Sequence, residues 1–81
     1  MKEFTIVCCS KAYKFNGVLL GKKRNEEMYK TDSGKYIVFE SAADSEGVTI
    51  MQDDKALLSS HEPQWIKWAN LDFPDDLVVK L

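Results

Sequence analysis

The chain has one histidine and two cysteines among its 81 residues, and that scarcity excludes several chemistries. A structural zinc site takes about four ligands, whereas the soft candidates end at Cys8, Cys9 and His61. No metal and no cofactor is therefore expected. A lone histidine also restricts hydrolytic chemistry, because a nucleophile needs a base and an orienting acid within hydrogen-bond reach. Ser59, Ser60 and Glu62 neighbour His61 along the chain, but such adjacency does not build that geometry. His61 is read as a loop residue beside Pro63, and no catalytic residue is expected. No apolar run approaches the ~20 residues that span a bilayer. Residues 1–9 hold an apolar core too short for a secretory signal, and no Asn-x-Ser/Thr sequon occurs. These absences point to a cytoplasmic protein with no membrane partner.

Cys8 and Cys9 close the stretch Phe4-Thr5-Ile6-Val7-Cys8-Cys9, whose β-branched and aromatic composition favours a strand. Neighbours on a strand point to opposite faces. Each cysteine is thus expected to pack separately, as a small hydrophobe. A disulfide between adjacent residues would be strained.

What is present suits a small globular domain. Apolar residues make up 44% of the chain and charged residues 30%, and nine aromatics supply large side chains for a core. Residues 1–81 read as one domain, without repeats or a linker. The net charge of −2 divides unevenly. Residues 1–42 carry eight Lys/Arg against five Asp/Glu; residues 43–81 carry three Lys against eight Asp/Glu. The acidic half is either a solvated surface or a face for a basic partner.

Strand signals dominate the first five-eighths of the chain. Residues 4–9 and 13–20 read as strands, with Gly17 marking a bulge or a close backbone approach. Residues 28–31 and 35–39 should pair across Asp32-Ser33-Gly34, as a type I turn with a glycine bulge. Tyr36 and Val38 would share one face, with Ile37 and Phe39 on the other. Residues 41–47 have loop composition, and 48–51 form a further short strand. Asp53 or Asp54 should cap a helical turn through Leu58. A second helix should start at Pro63. Residues 74–81 read as a last short helix, with a terminal strand as the alternative. The fold class is α+β: an antiparallel sheet of four to five strands within residues 3–51, covered on one face by one or two short helices from 53–81.

Each candidate site has a plain structural reading beside it. Gly17-x-x-x-Gly21-Lys22 glances at a phosphate loop, but it is one residue short and is followed by Lys23 instead of Ser or Thr. Lys22, Lys23, Arg24 and Lys35, with Tyr29 interleaved, would suit single-stranded nucleic acid if cations and rings shared a surface. Lys-rich strand edges also resist aggregation without any ligand. Asp53-Asp54 and Asp75-Asp76 stand where helices should begin, which the helix dipole favours. Trp65 and Trp68 should cap the open sheet face, or anchor a partner where exposed. With Asp72, Asp75 and Asp76 they form the candidate partner-binding set.

Two segments together resemble the EXLDI family of small bacterial and phage proteins. One is Phe15-x-Gly17-x-Leu19-Leu20-Gly21, followed by Tyr29 and Gly34-Lys35-Tyr36-Ile37-Val38. The other is Leu71-Asp72-Phe73-Pro74-Asp75-Asp76-Leu77, similar to the tail that names the family. Ala69 stands where the family's glutamate would be, and Phe73 replaces its isoleucine. The resemblance covers 13–40 and 69–77. It implies a small β-rich intracellular domain and brings no activity and no catalytic residue. The expected function is a non-catalytic protein-interaction or inhibitor-type protein, of mobile-element or phage origin. Its partner would be bound through the acidic C-terminal half or a sheet edge. A nucleic-acid-binding module using the basic hairpin is the alternative, and a small enzyme the third.

Overall fold

In the computed structural model, which describes residues 1–81, five antiparallel strands follow one another across a single sheet in chain order. They are β1 (Lys2–Cys8), β2 (Lys11–Lys23), β3 (Glu26–Thr31), β4 (Tyr36–Ala42) and β5 (Ser45–Met51). Two short helices follow, α1 (Asp54–Ser59) and α2 (Pro63–Trp68), and then one 3-10 turn at Asp75–Leu77. The protein is mostly β with some helix.

Turn chemistry explains most of the register. The Thr31 carbonyl accepts from Gly34 N at 3.0 Å, and Thr31 N donates to the Lys35 carbonyl at 2.8 Å. Gly34 sits at φ 87°, where a side chain is disfavoured. This is the bonding of a type I turn closed by a glycine bulge, as expected from Asp32-Ser33-Gly34. The buried Thr31 hydroxyl locks the turn, accepting from Lys35 N at 3.1 Å and lying 3.0 Å from Ser33 Oγ.

The loop expected over 41–47 is much shorter. Ser41 pairs with Glu46 and Ala42 with Ser45, leaving only Ala43 and Asp44 to turn the chain. These residues read as loop because they are polar. At an exposed sheet end, polar side chains continue a ladder without cost, since the pairing belongs to the backbone.

Adjacent cysteines do not face opposite sides of a strand. Cys8 ends β1, while Cys9 and Ser10 adopt φ 58° and 64°. Two consecutive left-handed residues are what a two-residue hairpin of type I′ requires. The chain therefore leaves the strand at Cys9, and the alternation rule stops applying there.

The long strand β2 organises everything else. Its first half pairs with β1 from Lys2↔Gly17 to Cys8↔Lys11, and its second half pairs with β3 from Gly17↔Thr31 to Lys23↔Glu26. Only Gly17 belongs to both ladders. On a flat sheet Tyr13 and Phe39 would stand about 25 Å apart along the strand direction. Their ring centroids are 5.6 Å apart, and those of Phe15 and Tyr29 are 5.3 Å apart. β2 must bend sharply near Gly17, laying the β1–β2 hairpin back over one face of the sheet. A Cβ at Gly17 would run into the Lys30 carbonyl, so glycine is what allows so close an approach.

Two hydrophobic clusters result. Cys8, Tyr29, Ile37 and Phe39 form one, ringed by Phe4, Ile6, Tyr13, Phe15 and Val48. Met28, Tyr36, Val38, Met51, Leu57, Trp65 and Ile66 form the other. As expected, β4 divides its side chains between them, Tyr36 and Val38 to one and Ile37 and Phe39 to the other.

Helix ends follow their residue types. Asp53 caps α1, its Oδ1 accepting from Ala56 N at 2.8 Å. Pro63 opens α2. After α2, Asn70 turns left-handed at φ 57°, Asn70 N donates to the Lys67 carbonyl at 3.0 Å, and Leu71 N donates to the Ile66 carbonyl at 3.2 Å. That pair of bonds is a Schellman ending with asparagine in place of glycine. The helix expected over 74–81 is reduced to the single turn Asp75–Leu77. Leu77 packs against the helix-side cluster, but Leu81 is fully exposed. No second apolar contact therefore rewards another turn, and Val78 and Val79 disfavour one.

Candidate partner-binding surface

Trp65 is 8% exposed and sits inside the helix-side cluster. Trp68 is half-buried and lies over Gly21, where an added Cβ would enter the indole ring. Lys23 Nζ stands 5.8 Å from the centroid of that ring, a cation–π contact. The register slips between Leu19 and Gly21, so the strand bulges just where the tryptophan arrives. Both tryptophans are thus occupied within the domain.

Asp72, Asp75 and Asp76 are all exposed. They lie on segment 71–81, which Leu71 and Leu77 attach to the helix-side cluster. Between and beyond those anchors the segment shows apolar side chains to solvent: Phe73 is 42% exposed, Val78 44% and Val79 79%. Asp76 Oδ2 lies 3.0 Å from His61 Nε2, in a pair that carries opposite charges only when His61 is protonated. Both members are exposed, so the pair contributes little to stability. Acids and apolar groups therefore alternate along one tethered strip. Sequence reasoning identified the acids but missed Phe73, Val78 and Val79. For Val78 and Val79 the available signal was the apolar run Leu77-Val78-Val79, too short and too β-branched to commit to a helix; for Phe73 there was none.

His61 occupies the left-handed position after α1, at φ 54°. The Ser59 hydroxyl donates to the Lys55 carbonyl at 2.9 Å, and the Ser60 hydroxyl to the Leu57 carbonyl at 2.5 Å. Both serine protons are thus directed at helix carbonyls, away from the imidazole.

The basic set is divided. Lys22 and Lys23 end β2, beside Arg24 in the β2–β3 turn, whereas Lys35 lies in the β3–β4 turn at the opposite end of those strands. Tyr29 between them is 3% exposed, packed edge-on against Phe4, Phe15 and Phe39. Its hydroxyl donates to Glu27 Oε2 at 2.5 Å. Burial first, and then the Glu27 carboxylate, hold its phenol well above the ordinary tyrosine range. No ring of this set is available for stacking on a base.

The largest groove, about 590 Å³ and open to solvent, lies at the sheet end bearing the β2–β3 and β4–β5 turns. Its charged lining mixes Lys23 and Arg24 with Glu26, Glu40 and Glu46, so it offers no field of one sign. No helix is long and apolar enough to cross a membrane.

No family model, curated protein or solved structure matches the chain.

Proposed function

We propose that this is a non-catalytic protein-binding domain that docks through segment 71–81. The observation carrying this reading is the strip itself: Phe73, Val78 and Val79 exposed among Asp72, Asp75 and Asp76, on a stretch anchored by Leu71 and Leu77. Anchoring lowers the ordering cost of binding relative to a free tail. Exposed apolar side chains supply contact area, and flanking acids select a partner whose groove is rimmed by Lys or Arg.

Trp65 and Trp68 act behind this surface, as the layer that holds it against the sheet. α1 and α2 form that layer over the face bearing Met28, Tyr36 and Val38. The free thiols of Cys8 and Cys9 suit a reducing cytoplasm. An inhibitor-type role fits a domain that presents such a strip to a groove on another protein.

Affinity capture tests this reading with three proteins: the native chain, the triple variant Asp72→Lys/Asp75→Lys/Asp76→Lys, and the control Lys22→Glu/Lys23→Glu. Partners should be lost with the triple variant and kept with the control, while all three melt cooperatively. Retention of every partner by the triple variant would move the interface elsewhere.

A further inference from the structure

The Cys8–Cys9 pair is not used by the proposed interface. Cys8 is buried at the end of β1, Cys9 is exposed in the hairpin turn, and their sulfurs lie 3.0 Å apart. Packing does not account for Cys9, which contributes nothing to either cluster. Turn chemistry does not account for it either. Two-residue hairpin turns of this kind prefer Asn and Gly, and a left-handed backbone is costly for other residues. The strain at Cys9 and Ser10 holds the second thiol beside the first.

The gap between the sulfurs discriminates among uses. In disulfides the Cα atoms usually stand ~4.4–6.8 Å apart, but adjacent Cα atoms are only ~3.8 Å apart. Direct sulfur–sulfur bonding is therefore disfavoured. Tetrahedral zinc, with bonds of ~2.3 Å, holds two sulfurs about 3.8 Å apart and requires further ligands. No cluster of three or more metal-ligating side chains exists here. A pyramidal trivalent centre needs only two protein sulfurs and holds them closer together.

We propose that Cys8 and Cys9 form a chelating dithiol site for monosubstituted trivalent arsenicals, a class of soft, thiophilic electrophile. Capture is a ligand exchange without electron transfer. Two arsenic–oxygen bonds break and two arsenic–sulfur bonds form. Each departing hydroxide takes the proton of one thiol and leaves as water. The hydrogen bond with Cys9, then burial, then Glu46, push the Cys8 thiol up to about 12, which makes Cys8 the poorer nucleophile of the two and the second to bond. Exposed Cys9 is the entry point, and Cys8 closes the chelate.

The probe is phenylarsine oxide, applied to the reduced full-length chain and read by intact mass and by thermal melting. One phenylarsenic group per chain should survive a hundredfold excess of a monothiol and be removed by a dithiol. Tm should rise, because a site built by the folded turn binds the folded state more tightly than the unfolded one. Cys9→Ser, an exposed and structurally mild change, should lower retention at least tenfold, and Cys8→Ala should do the same. Displacement by the monothiol, equal retention by Cys9→Ser, or an unchanged Tm would each overturn the proposal.

Discussion

Gly21 shows how much one missing methyl can decide. Its bare backbone receives the indole of Trp68, and Gly17 likewise receives the Lys30 carbonyl. Gly21→Ala should cost about 1–3 kcal/mol, the usual range for overpacking, read as a shift in the denaturant midpoint at constant slope. Trp68→Ala should suppress much of that cost in a double-mutant cycle, because it removes the clashing ring. Tyr36 carries a pH prediction. It is fully buried and donates to Asp54 Oδ1 at 2.6 Å. Burial first, then Asp54, raise its phenol from 10.0 to about 12. The folded chain thus keeps a proton on Tyr36 that the unfolded chain loses, so the contribution of Tyr36 to stability is complete below pH 10 and is lost as pH rises from 10 to 12. Alkaline melts of Tyr36→Phe should show a shallower decline across that window. An identical decline would assign the effect to other groups.

At the level of elements, local rules carried far. The Asp32-Ser33-Gly34 turn, the alternation of Tyr36 through Phe39, an aspartate cap from Asp53 or Asp54 and the Pro63 start all follow from residue type and spacing, and all are present, with Asp53 as the cap. Asp53→Ala should accordingly cost about 1 kcal/mol, while Leu57→Ala, which empties a fully buried site, should cost about 2–5 kcal/mol. Urea titrations of the two variants would separate a capping loss from a packing loss. The elements that local rules missed are those that residue type does not report. Polar 41–47 pairs largely with itself, Ser41 with Glu46 and Ala42 with Ser45 around a two-residue turn, because the ladder belongs to the backbone and not to the side chains. The expected helix over 74–81 shrank because only Leu77 found a surface. Cys9 departed from strand alternation because a turn needed its backbone. Of the candidate site, the acids were visible, but the exposure of Phe73 and Val78 depends on what Leu71 and Leu77 contact, which no window of sequence contains.

Taken whole, the chain supports two clusters on opposite faces of shared strands. Its radius of gyration is 13.3 Å, somewhat above the ~12 Å expected for this length, in keeping with a thin, layered shape. The shared strand β4 should make the clusters melt together. Tryptophan fluorescence reports the helix side through Trp65 and Trp68, and in a Tyr36→Phe background, which removes the helix-side tyrosine, near-ultraviolet tyrosine dichroism reports the other side through Tyr13 and Tyr29. Coincident transitions are expected; an earlier tyrosine transition would mean that the bent β1–β2 hairpin lifts off alone. The strictly sequential strand order has a kinetic corollary. Each new strand meets its partner in the segment just before it, so loop closure stays cheap at every step. A nascent chain can therefore zip up in the direction of synthesis, with refolding faster than in sandwiches whose partners lie far apart along the chain.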